Sequence, residues 1–145
     1  MLFRSPAAAA PVAAPAASTA VQTLPPYLDP KSDIALKRSI FFDFDQQLIK
    51  PEFTAIVELH GKYLAGHPGV AIRLEGNADE RGSPEYNLAL GQRRAEAVRK
   101  ALQLMGVKDG QLEAVSYGEE KPRAAGHDEA AWAQNRRVDL VYPAK

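Results

Sequence analysis

The chain has 145 residues, in which 18 Lys and Arg balance 18 Asp and Glu, and it contains no cysteine. That length fits one domain of roughly 100–150 residues plus a tail, the even charge supplies no global field for nucleic acid or an anionic membrane, and the missing thiols exclude disulfides, thiol catalysis, lipid attachment through cysteine and Cys-based metal sites. No stretch approaches the roughly 18 consecutive apolar residues of a membrane span, so no transmembrane segment is expected and recognition must be local.

Met1-Leu2-Phe3-Arg4 carries one positive charge, but Pro6, Pro11 and Pro15 break the alanines that follow, which makes a poor signal peptide. Residues 5–20 hold nine alanines and three prolines, and only Arg4 and Asp29 are charged before position 31. Such composition reads as an extended tail or tether over residues 1–37, leading into a folded domain over 38–143.

At Ser39 the pattern changes. Ile40, Phe42 and Phe44 alternate with other residues as in a half-buried strand. Pro51 opens a helix with Phe53, Ile56, Val57, His60, Tyr63 and Leu64 at three- and four-residue steps, ending near Gly66; His60 reads as packing. Val70, Ile72 and Leu74 form a second strand that runs into the Asn77–Gly82 loop. Ser83-Pro84-Glu85 is a helix start, combining a hydroxyl cap, a first-turn proline and an acid at the positive end of the dipole. That helix is expected to reach Met105 and stop at Gly106. Leu112–Tyr117 is a third strand, Asp128–Gln134 a short helix, and Val138, Leu140 and Tyr142 belong to a fourth strand. The order β-α-β-α-β-α-β predicts an α/β or α+β sandwich, a mixed four-stranded sheet covered by helices.

On the long helix Leu90, Val98, Ala101, Leu102 and Met105 form one apolar stripe, and Arg94 lies within it. A guanidinium on an inner face needs partners for its donors. Asp79 precedes it in a loop at the N-terminal end of the helix, so the two side chains can face each other. Spacing alone leaves two readings open: a plain Asp79–Arg94 ion pair, or a site in which the two hold a small zwitterion, its carboxylate on Arg94 and its ammonium on Asp79. Asn87 and Leu90 project toward the same side, and Asp45 offers a further acceptor or simply ends its strand in a turn.

Five separated motifs carry a resemblance: Phe42-Asp43-Phe44-Asp45; Glu75-Gly76-Asn77-Ala78-Asp79-Glu80-Arg81-Gly82-Ser83-Pro84-Glu85-Tyr86-Asn87; Gly91-Gln92-Arg93-Arg94-Ala95; Ser116-Tyr117-Gly118-Glu119-Glu120-Lys121-Pro122; and Asn135-Arg136-Arg137. Together, over residues 38–143, they resemble the OmpA-like domain of the peptidoglycan-associated lipoprotein (Pal) branch. The resemblance implies non-catalytic binding of the meso-diaminopimelate of peptidoglycan stem peptides. Asp79 and Arg94 would be the principal contacts, Phe44, Asp45, Asn87 and Leu90 the pocket lining, and Arg81 its rim, with Arg136 or Arg137 either anchoring the acidic loop or, the favoured role, making a purely structural salt bridge. It also implies a periplasmic, outer-membrane-associated protein of a Tol–Pal-like system with TolB as partner, without cofactor or metal. The lipid-bearing cysteine of that branch is absent here, and the Ala/Pro stretch stands where the lipidated leader would join the domain.

Two rival classes compete. A carboxylate-dependent hydrolase would use Asp43, Asp45, Asp79 and Glu80, but His60, His67 and His127 are scattered and no nucleophile or phosphate-loop motif occurs. A purely protein-binding module would present Glu119, Glu120, Lys121, Trp132 and the Ala78–Gly82 loop; a tryptophan in a short helix is more often core.

Overall fold

The computed structural model describes residues 24–144. The alternation at Ser39 yields β1, Ser39–Phe41, a shorter strand than the pattern predicts, because residues 43–46 form a turn. The Gln46 N–H donates to Asp43 O at 3.1 Å, and Asp45 has φ 57°, a left-handed value that Asp adopts more readily than most residues. Phe42 still donates to Arg136 O at 2.9 Å and is buried. Phe44, expected on the same half-buried strand, is instead 54 % exposed.

A 3-10 turn, Pro51–Phe53, leads into α2, Thr54–Ala65, which buries Val57, His60 and Leu64. Strand β2 is Ile72–Asn77. Ser83 caps α3, Pro84–Leu104, its hydroxyl accepting from the Tyr86 N–H at 3.1 Å, and the helix stops as expected before Gly106, which has φ 98°. Strand β3, Leu112–Gly118, is followed by α4, Glu129–Asn135, whose cap Asp128 accepts from the Ala131 N–H at 3.0 Å, and by β4, Arg137–Val141.

The sheet order is β1-β4-β2-β3, with β4 antiparallel to both β1 and β2, and β2 parallel to β3. A parallel pair needs a crossover, and α3 supplies it, lying across β2 and β3. Ile40, Leu74, Val98, Leu102, Val138 and Leu140 fill the space between sheet and helices. This is the expected α/β sandwich with a mixed four-stranded sheet.

The packed unit starts earlier than the expected boundary at residue 38. Tyr27 stacks on Tyr142 with ring centroids 5.2 Å apart, Ile34 is buried on a short helix α1, Asp33–Leu36, and Arg38 Nη2 donates to Tyr27 O at 2.6 Å. Burying a side chain such as Ile34 contributes roughly 1.5–3 kcal/mol, enough for a few apolar residues to seat a segment of otherwise tail-like composition. The rest of the expected tail, residues 1–23, lies outside the described residues.

His60 ties this segment to the sheet. Its Nε2 lies 2.6 Å from Lys37 O and its Nδ1 2.6 Å from Tyr142 Oη. A carbonyl can only accept, so Nε2 carries the proton and donates, and Nδ1 accepts from the tyrosine. Burial, assisted by the Arg38 charge and opposed by the Lys37 carbonyl, lowers the His60 pKa below 6.5. As pH falls through that value the unfolded chain takes up the proton first, so the folded state loses stability. Thermal melts between about pH 7 and 5.5 should show this decline in the parent and a flatter slope in His60→Gln. Equal slopes would remove His60 as the cause.

Candidate ligand-binding site

Arg94, on the inner face of α3, has no exposed surface. Its Nε donates to Gln46 O at 2.7 Å, Nη1 to Asn77 O at 2.9 Å and Nη2 to Asp43 O at 3.0 Å. One side chain therefore ties both ends of the 43–46 turn to the last residue of β2. All three partners are neutral, and among the described residues no carboxylate forms an ion pair with Arg94. A guanidinium has five N–H donors, so one remains on each terminal nitrogen. Burial and the Arg136 charge bring the pKa down to about 10, against the attraction of Asp79 and Asp45; the group stays cationic at neutral pH.

The direct Asp79–Arg94 ion pair, one of the two readings left open by spacing, does not form. Asp79 is 4 % exposed and turns to other arginines. Its Oδ1 accepts from the Arg81 backbone N–H at 2.9 Å, and its Oδ2 from Arg81 Nη2 at 2.8 Å and Arg136 Nη1 at 3.4 Å. Burial pushes the Asp79 carboxyl up, but the hydrogen bonds from Arg81 and Arg136 outweigh it and hold the group below its usual value. Of the two arginines expected to anchor the acidic loop, Arg136 does so, with Nε on Phe42 O at 2.9 Å and Nη2 on Glu129 Oε2 at 2.8 Å. Arg137 serves the sheet instead, bonding Asp139 at 3.0 Å and Lys121 O at 3.1 Å.

Phe44, Asp45, Asp79, Arg81, Asn87, Leu90 and Arg94 line one pocket of about 230 Å³, joined by Gly82 and Tyr86. Asp45 both stands in the 43–46 turn and lines the pocket, accepting from the Tyr86 hydroxyl. Asn87 Nδ2 is held by Glu119 Oε1 at 2.6 Å, and Leu90 gives an apolar wall. Tyr86 was within reach of sequence reasoning: it stands four residues before Leu90 on the same helix, hence on the same face. A space this size, with a cationic floor and two carboxylates on its walls, suits the charged end of an amino acid.

The four acids of the hydrolase reading are divided. Asp43 pairs with Lys50 at 3.1 Å, Glu80 accepts from Trp132 Nε1 at 2.7 Å, and only Asp45 and Asp79 line the pocket. Both of those already accept hydrogen bonds.

A model of the OmpA family matches residues 41–136. The chain is 51 % identical over 104 residues to a peptidoglycan-associated lipoprotein of Pasteurella multocida, covering 72 % of this chain and 69 % of that one. With the peptidoglycan-associated lipoprotein of Pseudomonas aeruginosa the identity is 53 % over 112 residues, covering 75 % and 66 %. The chain thus spans about two thirds of the length of these relatives. The crystal structure of the peptidoglycan-associated lipoprotein from Burkholderia pseudomallei is similar with a TM-score of 0.78 and 58 % identity, over 82 % of this chain and all 100 % of that one. The C-terminal domain of Helicobacter pylori MotB is more distant, with a TM-score of 0.66 at 25 % identity over 73 % of this chain and 83 % of that one.

Proposed function

We propose that this chain, which belongs to the OmpA family and within it to the peptidoglycan-associated lipoprotein branch, binds peptidoglycan without cleaving it, taking the meso-diaminopimelate end of a stem peptide into the pocket floored by Arg94. The observation that carries this reading is the Arg94 guanidinium: a buried cation held by three carbonyls, without a carboxylate of its own. An uncompensated buried charge is costly, and a ligand carboxylate meeting its two remaining N–H donors forms charge-assisted bonds of roughly 1.5–3 kcal/mol each. The ammonium on the same ligand carbon then faces Asp79 and Asp45. A stem peptide with lysine at this position offers the ammonium alone and leaves Arg94 unmatched.

The role that follows is a non-covalent link between envelope and wall, in the periplasm and associated with the outer membrane. Membership of a Tol–Pal-like system, and docking of TolB on the Ala78–Gly82 loop, rest on the Pal resemblance. In co-sedimentation, the parent should favour peptidoglycan containing diaminopimelate over peptidoglycan containing lysine, and Asp79→Ala should weaken the former about tenfold, the equivalent of ~1.4 kcal/mol. Full binding by Asp79→Ala would refute the site, and fragments released from the wall would refute the absence of catalysis.

A further inference from the structure

Trp132 is the one tryptophan of the chain and stands on α4, outside the pocket lining. It is neither sealed in the core nor free on the surface. Its ring centroid lies 4.1 Å from Arg81 Cζ, and that of Phe44 lies 4.0 Å from the same atom. Two rings at that distance cannot share one face of a planar group, so the guanidinium is sandwiched between them. The indole Nε1 donates to Glu80 Oε2 at 2.7 Å, and that carboxylate is also held by His127 Nδ1 at 2.7 Å. The clamped guanidinium puts its Nε and Nη2 edge on Asp79, at 3.3 and 2.8 Å, which leaves Nη1 on the opposite edge.

We propose that Trp132 is a positioning residue of the ligand site: fixed by Glu80, it presses Arg81 against Phe44, so that the guanidinium keeps one edge on Asp79 and offers Nη1 to the carboxylate of an arriving zwitterion. The proposal rests on the function above and adds to it a second carboxylate donor whose aim is set from outside the pocket. An arginine loses much rotamer freedom when held in one geometry. Without the indole, Phe44 covers only one face of the guanidinium, Arg81 samples solvent, and Asp79 loses the two hydrogen bonds that the Arg81 side chain gives it. Stacking, not the polar link to Glu80, holds Arg81 directly, so an aromatic replacement without the indole N–H retains most of the effect.

The test uses the full chain and a soluble muropeptide ending in diaminopimelate. Trp132→Ala should weaken binding about tenfold, Trp132→Phe should restore most of it, and both should melt close to the parent. In the parent, the emission of the sole tryptophan should shift as the muropeptide saturates the site. Parent-like affinity of Trp132→Ala, alongside failure of Asp79→Ala, overturns the positioning role and leaves the binding site standing. Parent-like affinity of both variants removes the site and the positioning role together. Should Trp132→Ala fail to fold, the emission decides: an unchanged spectrum at saturation, with binding confirmed by sedimentation, overturns the proposal.

Discussion

Arg94→Ala is expected to abolish wall binding and to cost the fold about 3–5 kcal/mol, the sum of three buried carbonyls left without a donor. The substitution strips charge-assisted bonds from Asp43 O, Gln46 O and Asn77 O. Each buried carbonyl left without a donor costs roughly 1–3 kcal/mol, and water entering the vacated space recovers part of that. The loss exceeds that of a surface charge because Arg94 organises the site besides lining it. Once the 43–46 turn is untied from β2, Phe44 and Asp45 lose their positions on the pocket wall. Arg94→Lys separates the two roles: an ammonium keeps the charge but lacks the planar fork that spans three carbonyls. It should recover part of the stability and little of the binding. Urea unfolding read beside co-sedimentation checks both, and a parent-like midpoint for Arg94→Ala would show that the carbonyl cage is not structural.

The same guanidinium shows how far the sequence can be read. Helical periodicity placed Arg94 on the inner face, and Ser83-Pro84-Glu85 marked the start of its helix because capping is local chemistry. The seven expected lining residues meet because they lie just past the C-terminal ends of β1 and β2 and on the first three turns of α3, which the topology gathers at one end of the sheet. Local pattern could not reveal where β1 stops. The alternation runs on to Phe44, and the chain turns at Asp43, where an arginine far along the sequence donates to the turn's carbonyls. Nor could spacing choose among partners for Asp79: Arg81 stands two residues away, Arg94 and Arg136 come near only in the fold, and it was Arg81 and Arg136 that bonded. The Tyr27–Tyr142 stack joins opposite ends of the chain across a segment whose composition suits a tether. Trp132 was grouped with the Ala78–Gly82 loop only as a rival protein-binding surface, because nothing in its own short helix shows that the indole stacks on Arg81 and bonds Glu80.

Gly76→Ala is expected to cost about 3 kcal/mol or more and to reduce wall binding by more than the lost stability explains. Helix α3 approaches β2 so closely that a Cβ on Gly76 would overlap the Gly91 carbonyl oxygen and stand 2.6 Å from its carbon. In the other direction, a Cβ on Gly91 would lie 2.8 Å from Gly76 O. Backbone meets backbone at this crossing, so no rotamer change relieves the clash and the helix itself must lift. Gly76 adjoins Asn77, and Gly91 lies one turn before Arg94. The crossing therefore sets the 2.9 Å bond from Arg94 to Asn77 O, and with it the depth of the cation below the pocket. A lifted helix would draw the guanidinium away from all three carbonyls at once. Gly69→Ala is the control, since a Cβ there meets nothing within 4 Å, and it should stay within about 0.5 kcal/mol of the parent. If Gly76→Ala unfolds like that control yet still binds the wall, close approach of helix and strand is not what holds Arg94 in place.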